Sequence, residues 1–386
     1  MTLHYSTTTK VANPLLELKS FGQSVWHDNI SRDLLDSGDL KRLINDDGLS
    51  GLTSNPTIFE KAINGSTHYD SSLKLLVAQG KGVKEIYEAL AIQDIQRAAD
   101  LFRPIFNDTS GRDGFVSLEV SPKLAHHTEE TVQEARRLWK AVSRPNLMIK
   151  VPATPAGLPA IEQLLGEGLN INITMMFSMD HYVRVAEAYI RGIEALDQRG
   201  KPLSVASVAS FFVSRVDTVA DKILEERILL TKSAQEKKGL ASLLGKTAIA
   251  NSKLVYQKFK EIFNSPRFQT LKAKGAKVQR PLWASTSTKN PKYRDVLYAE
   301  ELIGPDTVDT MPPATIVAFR DHGVVRPSLE ENLGESSRIL EQLHQAGIEL
   351  SEITQKLQDD GVKLFADSFD TLMESISKKK AALGNA

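Results

Sequence analysis

The alternation of short β-like segments with helical stretches constrains the fold of this chain more than any other feature of its sequence. Eight β-like segments occur, at Gln23–Asp28, Leu49–Thr53, Phe115–Val120, Asn146–Pro152, Leu169–Met176, Ser204–Val213, Pro281–Ser285 and Thr307–Met311. Strands that alternate with helices favour a parallel sheet, and eight such repeats favour a closed barrel. The predicted fold class is therefore α/β, a (β/α)8 TIM barrel, formed by residues from about 20 to 327.

Three stretches are longer than a minimal barrel needs. The connections 56–114 and 214–280 each have room for two or more helices, and residues 328–386 show two further helical patterns. The 386 residues are predicted to form a single domain, 1–386, because barrels of this kind commonly exceed 250 residues as one unit. The C-terminal helical extension is predicted to pack on the barrel.

The last helical pattern has one apolar face and a basic end. The face consists of Val362, Phe365, Phe369, Leu372, Met373 and Ile376. The basic end, Lys378–Lys380, is predicted to be a solvated helix terminus rather than a binding patch.

Composition restricts the partners and the chemistry. The 48 basic and 48 acidic residues cancel, so no summed field attracts nucleic acid, and there is no cysteine to act as a nucleophile or thiolate ligand. The eight histidines show no HExxH spacing, so no metal site is predicted. Without a leader-like amino terminus or a stretch of roughly 18 apolar residues, we expect a cytoplasmic protein with no membrane partner. The sequence leaves monomer and homodimer open.

Lys150 lies in the β-like segment Asn146–Pro152, where the strand period of two separates it from Leu147, Ile149 and Val151. It is therefore predicted to point into the barrel, where an ammonium group loses its hydration. One interpretation is a structural lysine that snorkels or forms an ion pair. The other is a Schiff-base nucleophile, because burial favours the neutral amine that attacks a carbonyl.

Other polar residues are predicted to converge on the same rim. Glu119 shares the inner face of its strand with Ser117. Asn172 and Thr174 face inward from the fifth segment, and Asp28 ends the first segment. Barrel enzymes place their sites at the carboxyl ends of the strands. Arg215, after the sixth segment, is either a phosphate ligand or a surface ion-pair partner.

Six motifs resemble those of the transaldolases, specifically their longer bacterial type. They occur in family order and are GLTSNPTIF at 51–59, SLEV at 117–120, NLMIKVPAT at 146–154, NIT at 172–174, SFFVSR at 210–215 and AST at 284–286. The resemblance implies a class I aldolase barrel that transfers a dihydroxyacetone unit in the non-oxidative pentose phosphate pathway. It implies sedoheptulose 7-phosphate and glyceraldehyde 3-phosphate as sugar-phosphate substrates, and no cofactor.

The resemblance also implies catalytic roles for four residues. Lys150 matches the Schiff-base lysine, and Asp28 matches the aspartate that takes the proton from the C4 hydroxyl. Glu119 matches the carboxylate that acts through a water during carbinolamine formation and dehydration, and Thr174 matches the residue that holds this water.

The remaining motif positions imply substrate binding. Asn55 and Asn172 match asparagines that bind the dihydroxyacetone moiety, and Ser210 and Arg215 match phosphate ligands. Shorter members have an arginine after the seventh segment; here Lys289 is the candidate for the second phosphate charge. His27, beside Asp28, is predicted to be a packing residue.

Two alternatives remain at this point. The first is an aldolase that releases dihydroxyacetone or accepts unphosphorylated substrates, which differs from a transferase in how well the enamine is protected. The second is a barrel that binds sugar phosphates without turnover, although the lysine and both carboxylates are present.

Overall fold

Eight parallel strands close into a barrel in which each strand pairs with its neighbours in chain order and the eighth pairs with the first. The computed structural model describes residues 13–384. The amino-terminal residues 1–12, for which no leader is predicted, and residues 385–386 at the other end of the predicted domain lie outside the described residues. The strands are β1 Gln23–Asp28, β2 Gly51–Thr53, β3 Phe115–Glu119, β4 Leu147–Pro152, β5 Ile171–Met176, β6 Ser207–Phe212, β7 Arg280–Ala284 and β8 Thr307–Met311.

All eight predicted strands are present, so the predicted barrel is confirmed. The largest difference in bounds is at β6, which begins at Ser207 rather than Ser204. The cause is local: the backbone N–H of Ala206 donates to the Asn170 side chain instead of to a neighbouring strand.

Helices surround the barrel and fill the long connections. They are α1 Pro14–Glu17, α2 Arg32–Asp36, α3 Asp39–Asp47, α4 Pro56–Asn64, α5 Asp70–Ala78, α6 Val83–Asp108, α7 Thr128–Val142, α8 Gly157–Gly166, α9 Met179–Gln198, α10 Ser214–Leu230, α11 Ala234–Ala241, α12 Thr247–Phe263, α13 Pro266–Ala273, α14 Leu297–Glu301, α15 Pro313–His322, α16 Leu333–Gln345 and α17 Leu350–Gly384. None of these described helices has the length and apolar character needed to span a bilayer.

The core lies between the strands and the helices. Leu147, Ile149 and Val151 on β4 are fully buried, as the apolar face of that strand predicts. Burying a large aliphatic side chain contributes about 1.5–3 kcal/mol, so the outer faces of the strands hold the helices in place. Because all eight strands are parallel, their carboxyl ends lie at the same mouth of the barrel.

The C-terminal helix α17 packs on the mouth of the barrel. The buried Gln358 side chain donates hydrogen bonds to the carbonyl oxygens of Ala153, 3.1 Å away, and Met175, 2.8 Å away. Because these carbonyls follow β4 and lie within β5, they fix α17 beside the strands that carry Lys150 and Thr174.

Phe365, Phe369, Leu372 and Ile376 on the apolar face of α17 are buried, and Val362 and Met373 on the same face are partly buried. The basic end is solvated only in part: Lys378 is exposed as predicted, whereas Lys379 and Lys380 are partly buried. Lys379 donates to the Ser66 carbonyl and to Asp70, and Lys380 donates to the Lys81 carbonyl. These lysines therefore attach the helix end to α5 and its flanks.

Candidate active site

Lys150 lies inside the barrel on β4, beside a carboxylate from the neighbouring strand. The parallel register pairs Glu119 with Lys150, and the Lys150 Nζ atom is 3.3 Å from Oε2 of Glu119. Nζ also donates a hydrogen bond to the Ser54 carbonyl oxygen at 3.3 Å. Since both charged side chains are 5% exposed, their interaction is little screened by solvent.

Burial dominates the electrostatics of Glu119. Loss of hydration raises the pKa of its carboxyl, while the nearby Lys150 opposes that change and Asp28 adds to it. A carboxyl with a raised pKa can exchange protons nearer neutral pH, which is the property required of a general acid or base.

Thr174 lies on β5, at the same mouth. Its Oγ1 atom is buried and has no hydrogen-bond partner within the described part of the chain. Buried hydroxyls are normally satisfied by protein or water, so this group can bind a water or a substrate oxygen.

Asp28 ends β1 and faces the same cavity. The Thr53 hydroxyl donates to its Oδ1 atom at 2.8 Å. Burial raises the pKa of Asp28, and Lys150, the Thr53 hydrogen bond, Arg215 and Lys289 partly offset the increase. Two carboxyls with different surroundings thus flank one amine, which allows them to perform different proton transfers.

A cavity of about 610 Å³ opens at this mouth. All the predicted site residues line it except Glu119 and Asn172. Its volume lies in the range of pockets that enclose small molecules. The residues that the motifs group together are therefore brought to one site, with Glu119 behind Lys150.

The two predicted asparagines occupy different environments. Asn55 caps α4, its Oδ1 accepting from the Ile58 N–H at 3.0 Å, and its side chain lines the cavity. Asn172 is fully buried; it donates to Ser117 Oγ at 3.0 Å and accepts from Ser210 Oγ at 2.7 Å. Asn172 thus orients Ser210, which does line the cavity.

Positive charge collects at the cavity. Arg215, in the first turn of α10, has its guanidinium carbon 5.2 Å from the centre of the Phe212 ring. Lys289 follows β7 and donates to Ser287 Oγ at 2.6 Å. Burial lowers the pKa of both groups, and repulsion from Arg215 lowers that of Lys289 further. Cations in this arrangement can bind a phosphate.

Lys61 and Phe365 are among the lining residues that the sequence did not assign to the site. Lys61 on α4 adds a third positive charge, and Phe365 on α17 places the centre of its ring 5.8 Å from Lys150 Nζ. Lys61 follows the cap residue Asn55 by six positions, about 120° away around the helix, so this spacing does not indicate a cavity-facing lysine. The apolar face of α17 predicts burial of Phe365, without saying against what.

His27 lies beside Asp28 in sequence but does not line the cavity. It is 2% exposed, and burial lowers its pKa to about 4. It is therefore a neutral packing residue at physiological pH, as predicted. Among residues 13–384, no group of three or more His, Asp and Glu side chains could hold a metal ion.

The fold and this site define the class of barrel enzymes whose reacting side chains sit at the carboxyl ends of the strands. The sequence profile of the transaldolase/fructose-6-phosphate aldolase family matches residues 25–376. The chain belongs to this family, which confirms the resemblance seen in its motifs.

Individual relatives agree with the profile. The chain is 48% identical over 373 residues to "Transaldolase 2" of Nostoc punctiforme, covering 95% of this chain and 97% of that protein. It is 45% identical to the "Transaldolase" of Trichodesmium erythraeum over 372 residues, 96% of this chain and 98% of the other. With the "Transaldolase" of Acidothermus cellulolyticus the identity is 46% over 370 residues, 95% and 97% of the two chains.

Proposed function

We propose that Lys150, Glu119 and Asp28 are the reacting groups of a transaldolase. The enzyme is a transferase that moves a dihydroxyacetone unit from sedoheptulose 7-phosphate to glyceraldehyde 3-phosphate, giving erythrose 4-phosphate and fructose 6-phosphate. The observation that carries the assignment is the 3.3 Å contact between Glu119 and the Nζ atom of Lys150, which lines the same cavity as Asp28.

The first stage forms the covalent bond to the ketose. The Lys150 amine attacks the donor carbonyl to give a carbinolamine, which loses water to become a protonated imine. Glu119 accepts and returns the protons, either directly or through a water held by Thr174. The raised pKa of Glu119 and the unpartnered Thr174 hydroxyl support these two roles.

The second stage breaks the C3–C4 bond. Asp28 takes the proton of the C4 hydroxyl, the C4 oxygen becomes the aldehyde carbonyl, and the bonding electrons move into the iminium. The erythrose 4-phosphate leaves, and the dihydroxyacetone unit remains on Lys150 as an enamine. The same steps in reverse join that unit to the acceptor aldehyde.

The other residues hold the substrate. Asn55 binds the dihydroxyacetone hydroxyls. Asn172 contributes to substrate binding by accepting a hydrogen bond from the Ser210 hydroxyl, which orients Ser210. Ser210, Arg215 and Lys289, which line the same cavity, bind the sugar phosphate. The imine itself supplies the electron sink, so this sequence of steps requires neither metal nor organic cofactor. We place the enzyme in the cytoplasm, in the non-oxidative pentose phosphate pathway.

Trapping the imine tests the assignment. Incubation with fructose 6-phosphate and borohydride, followed by peptide mass mapping, should attach the reduced adduct to Lys150. Lys253 is a matched internal control, since it is also buried and paired with a carboxylate, Glu301, at 3.1 Å. Labelling of Lys253 to the same extent, or of no residue, would overturn the proposal.

A further inference from the structure

We propose that Phe365 is a specificity-determining residue that favours transfer of the dihydroxyacetone unit over its release. The inference rests on the proposed function of Lys150. Phe365 does not come from the eight barrel repeats but from α17, and its ring lies over the reacting nitrogen.

The position of the ring is the first support. Its centre is 5.8 Å from Lys150 Nζ, the residue is 4% exposed, and it lines the cavity. Atoms of an adduct that extend from Nζ toward the ring come into van der Waals contact with it, at about 3.5–4.0 Å. Such an adduct leaves no layer for water on that side.

The attachment of α17 is the second support. Gln358 binds backbone carbonyls at the ends of β4 and β5, and Ser368 accepts a hydrogen bond from Thr57 on α4 at 2.9 Å. Between them, a Cβ at Gly361 would lie 3.0 Å from the Met175 sulfur, so the absence of a side chain allows close approach. The helix is thus anchored before and after Phe365, which fixes the position of its ring near Lys150 Nζ.

The ring of Phe365 affects release and transfer of the dihydroxyacetone unit differently. Release requires a proton on the enamine carbon and then attack of hydroxide on the imine carbon, with the C–N bond breaking. One water is consumed, and free dihydroxyacetone and the Lys150 amine are produced. Transfer instead bonds the enamine carbon to the acceptor aldehyde, and one water then hydrolyses the new imine to free the product, as in release. The two routes therefore divide at the enamine, where only release takes a proton from solvent. An apolar ring beside Nζ that keeps water away from the enamine slows release at that step without opposing transfer.

The ring also acts on charge. The face of an aromatic ring attracts a nearby cation, so it favours the protonated imine that accepts the electrons of the C3–C4 bond. An aliphatic side chain of similar volume excludes water but lacks this attraction. The two contributions can therefore be separated by substitution.

The test compares two rates in the full-length enzyme. The first is transfer from fructose 6-phosphate to erythrose 4-phosphate, and the second is release of dihydroxyacetone when no acceptor is added. In Phe365→Ala the ratio of release to transfer should rise by about tenfold or more, the scale of a single pocket contact. Phe365→Leu, which keeps more of the apolar volume, should raise the ratio by less.

Leu372→Ala is the matched control. Leu372 is fully buried on the same face of α17 but does not line the cavity, so its truncation should lower the melting temperature and leave the ratio unchanged. An unchanged ratio in both Phe365 variants would overturn the proposal, as would an equal increase in Leu372→Ala. If Phe365→Ala does not fold, the Phe365→Leu ratio decides.

Borohydride trapping separates this proposal from the assignment of Lys150. An adduct on Lys150 with unchanged ratios refutes the role of Phe365 alone. Absence of the adduct in the unsubstituted enzyme refutes the proposed function on which the role depends.

Discussion

Lys150 and Glu119 stand side by side on adjacent parallel strands, with Nζ and Oε2 3.3 Å apart and each side chain 5% exposed. Register alone produces this contact, since paired residues on neighbouring strands face the same side of the sheet. Burial makes the contact chemically useful. Burial raises the pKa of Glu119 and so favours the protonated form of its carboxyl over the ionised form.

Replacing Glu119 by Gln should slow formation of the Lys150 adduct by about 10²- to 10⁴-fold, because the amide cannot accept a proton. The measurement is the time course of borohydride-trapped adduct with fructose 6-phosphate. Glu301→Gln is the control, since Glu301 pairs with the buried Lys253 at 3.1 Å. Equal rates of trapping in Glu119→Gln and the unsubstituted enzyme would remove Glu119 from this step.

Replacing Lys150 by Ala should abolish transfer and leave Glu119 without its buried cation. An unpaired buried charge costs about 3–5 kcal/mol, so the pKa of Glu119 should rise further. Because the folded protein then holds a proton that the unfolded chain releases, stability should fall as pH rises above the normal Glu range. Urea unfolding of Lys150→Ala from pH 4 to 8 should show this loss.

The double variant Lys150→Ala/Glu119→Gln should recover much of that stability at neutral pH and remain inactive. Equal stability of Lys150→Ala and the double variant at pH 8 would show that an unpaired Glu119 does not destabilise the folded protein.

Replacing Asp28 by Asn should separate adduct formation from bond cleavage. Lys150 and Glu119 remain, so borohydride should still trap fructose 6-phosphate, but no group is left to take the C4 hydroxyl proton. Glyceraldehyde 3-phosphate release should therefore fall by about 10²-fold or more. Loss of the adduct together with cleavage would assign Asp28 to imine formation instead.

The inward-facing positions of Lys150 and its companions were predictable because a strand has a fixed period of two. Lys150, Glu119 and Thr174 each follow that rule within a single segment, and parallel order brings their segments together. Lys61 and Phe365 could not be predicted in this way. Their positions depend on how α4 and α17 pack across the mouth, which is set by contacts between residues more than 200 positions apart, such as Gln358 with Ala153.

The environment of Asn172 shows a second limit. Strand alternation predicts that it faces inward, yet its amide is taken up by Ser117 and Ser210. An inward-facing polar side chain can form its hydrogen bonds with neighbouring strands instead of with a ligand in the cavity. Only the distances between atoms of adjacent strands show which of these hydrogen bonds forms.

Replacing Arg215 by Ala should raise the Michaelis constant for fructose 6-phosphate, because a charge-assisted phosphate contact is lost. Lys289→Gln should have a smaller effect in the same direction. Lys292→Gln is the control from the same loop, since Lys292 is 79% exposed and does not line the cavity. If turnover of unphosphorylated fructose fell as much as that of fructose 6-phosphate, the cations would not be phosphate ligands.

Replacing Asp309 by Asn should increase the free energy of unfolding at alkaline pH and change that free energy little at acid pH. Asp309 on β8 is fully buried; Thr286 donates to its Oδ1 at 2.8 Å, and within residues 13–384 its Oδ2 has no hydrogen-bond partner. Burial raises its pKa from 3.8 to about 7. Between these values the folded protein holds a proton that the unfolded chain has released, so stability falls as pH rises through this window.

The full difference in pKa corresponds to a loss on the order of 4 kcal/mol by pH 8. An amide resembles the neutral carboxyl and keeps the acceptor for Thr286, so the variant should not show this loss. Urea unfolding between pH 4 and 8 measures it, with the exposed Asp367→Asn as a control expected to change stability by less than about 1 kcal/mol. Parallel pH curves for Asp309→Asn and the unsubstituted protein would mean that Asp309 titrates in its normal range despite its burial.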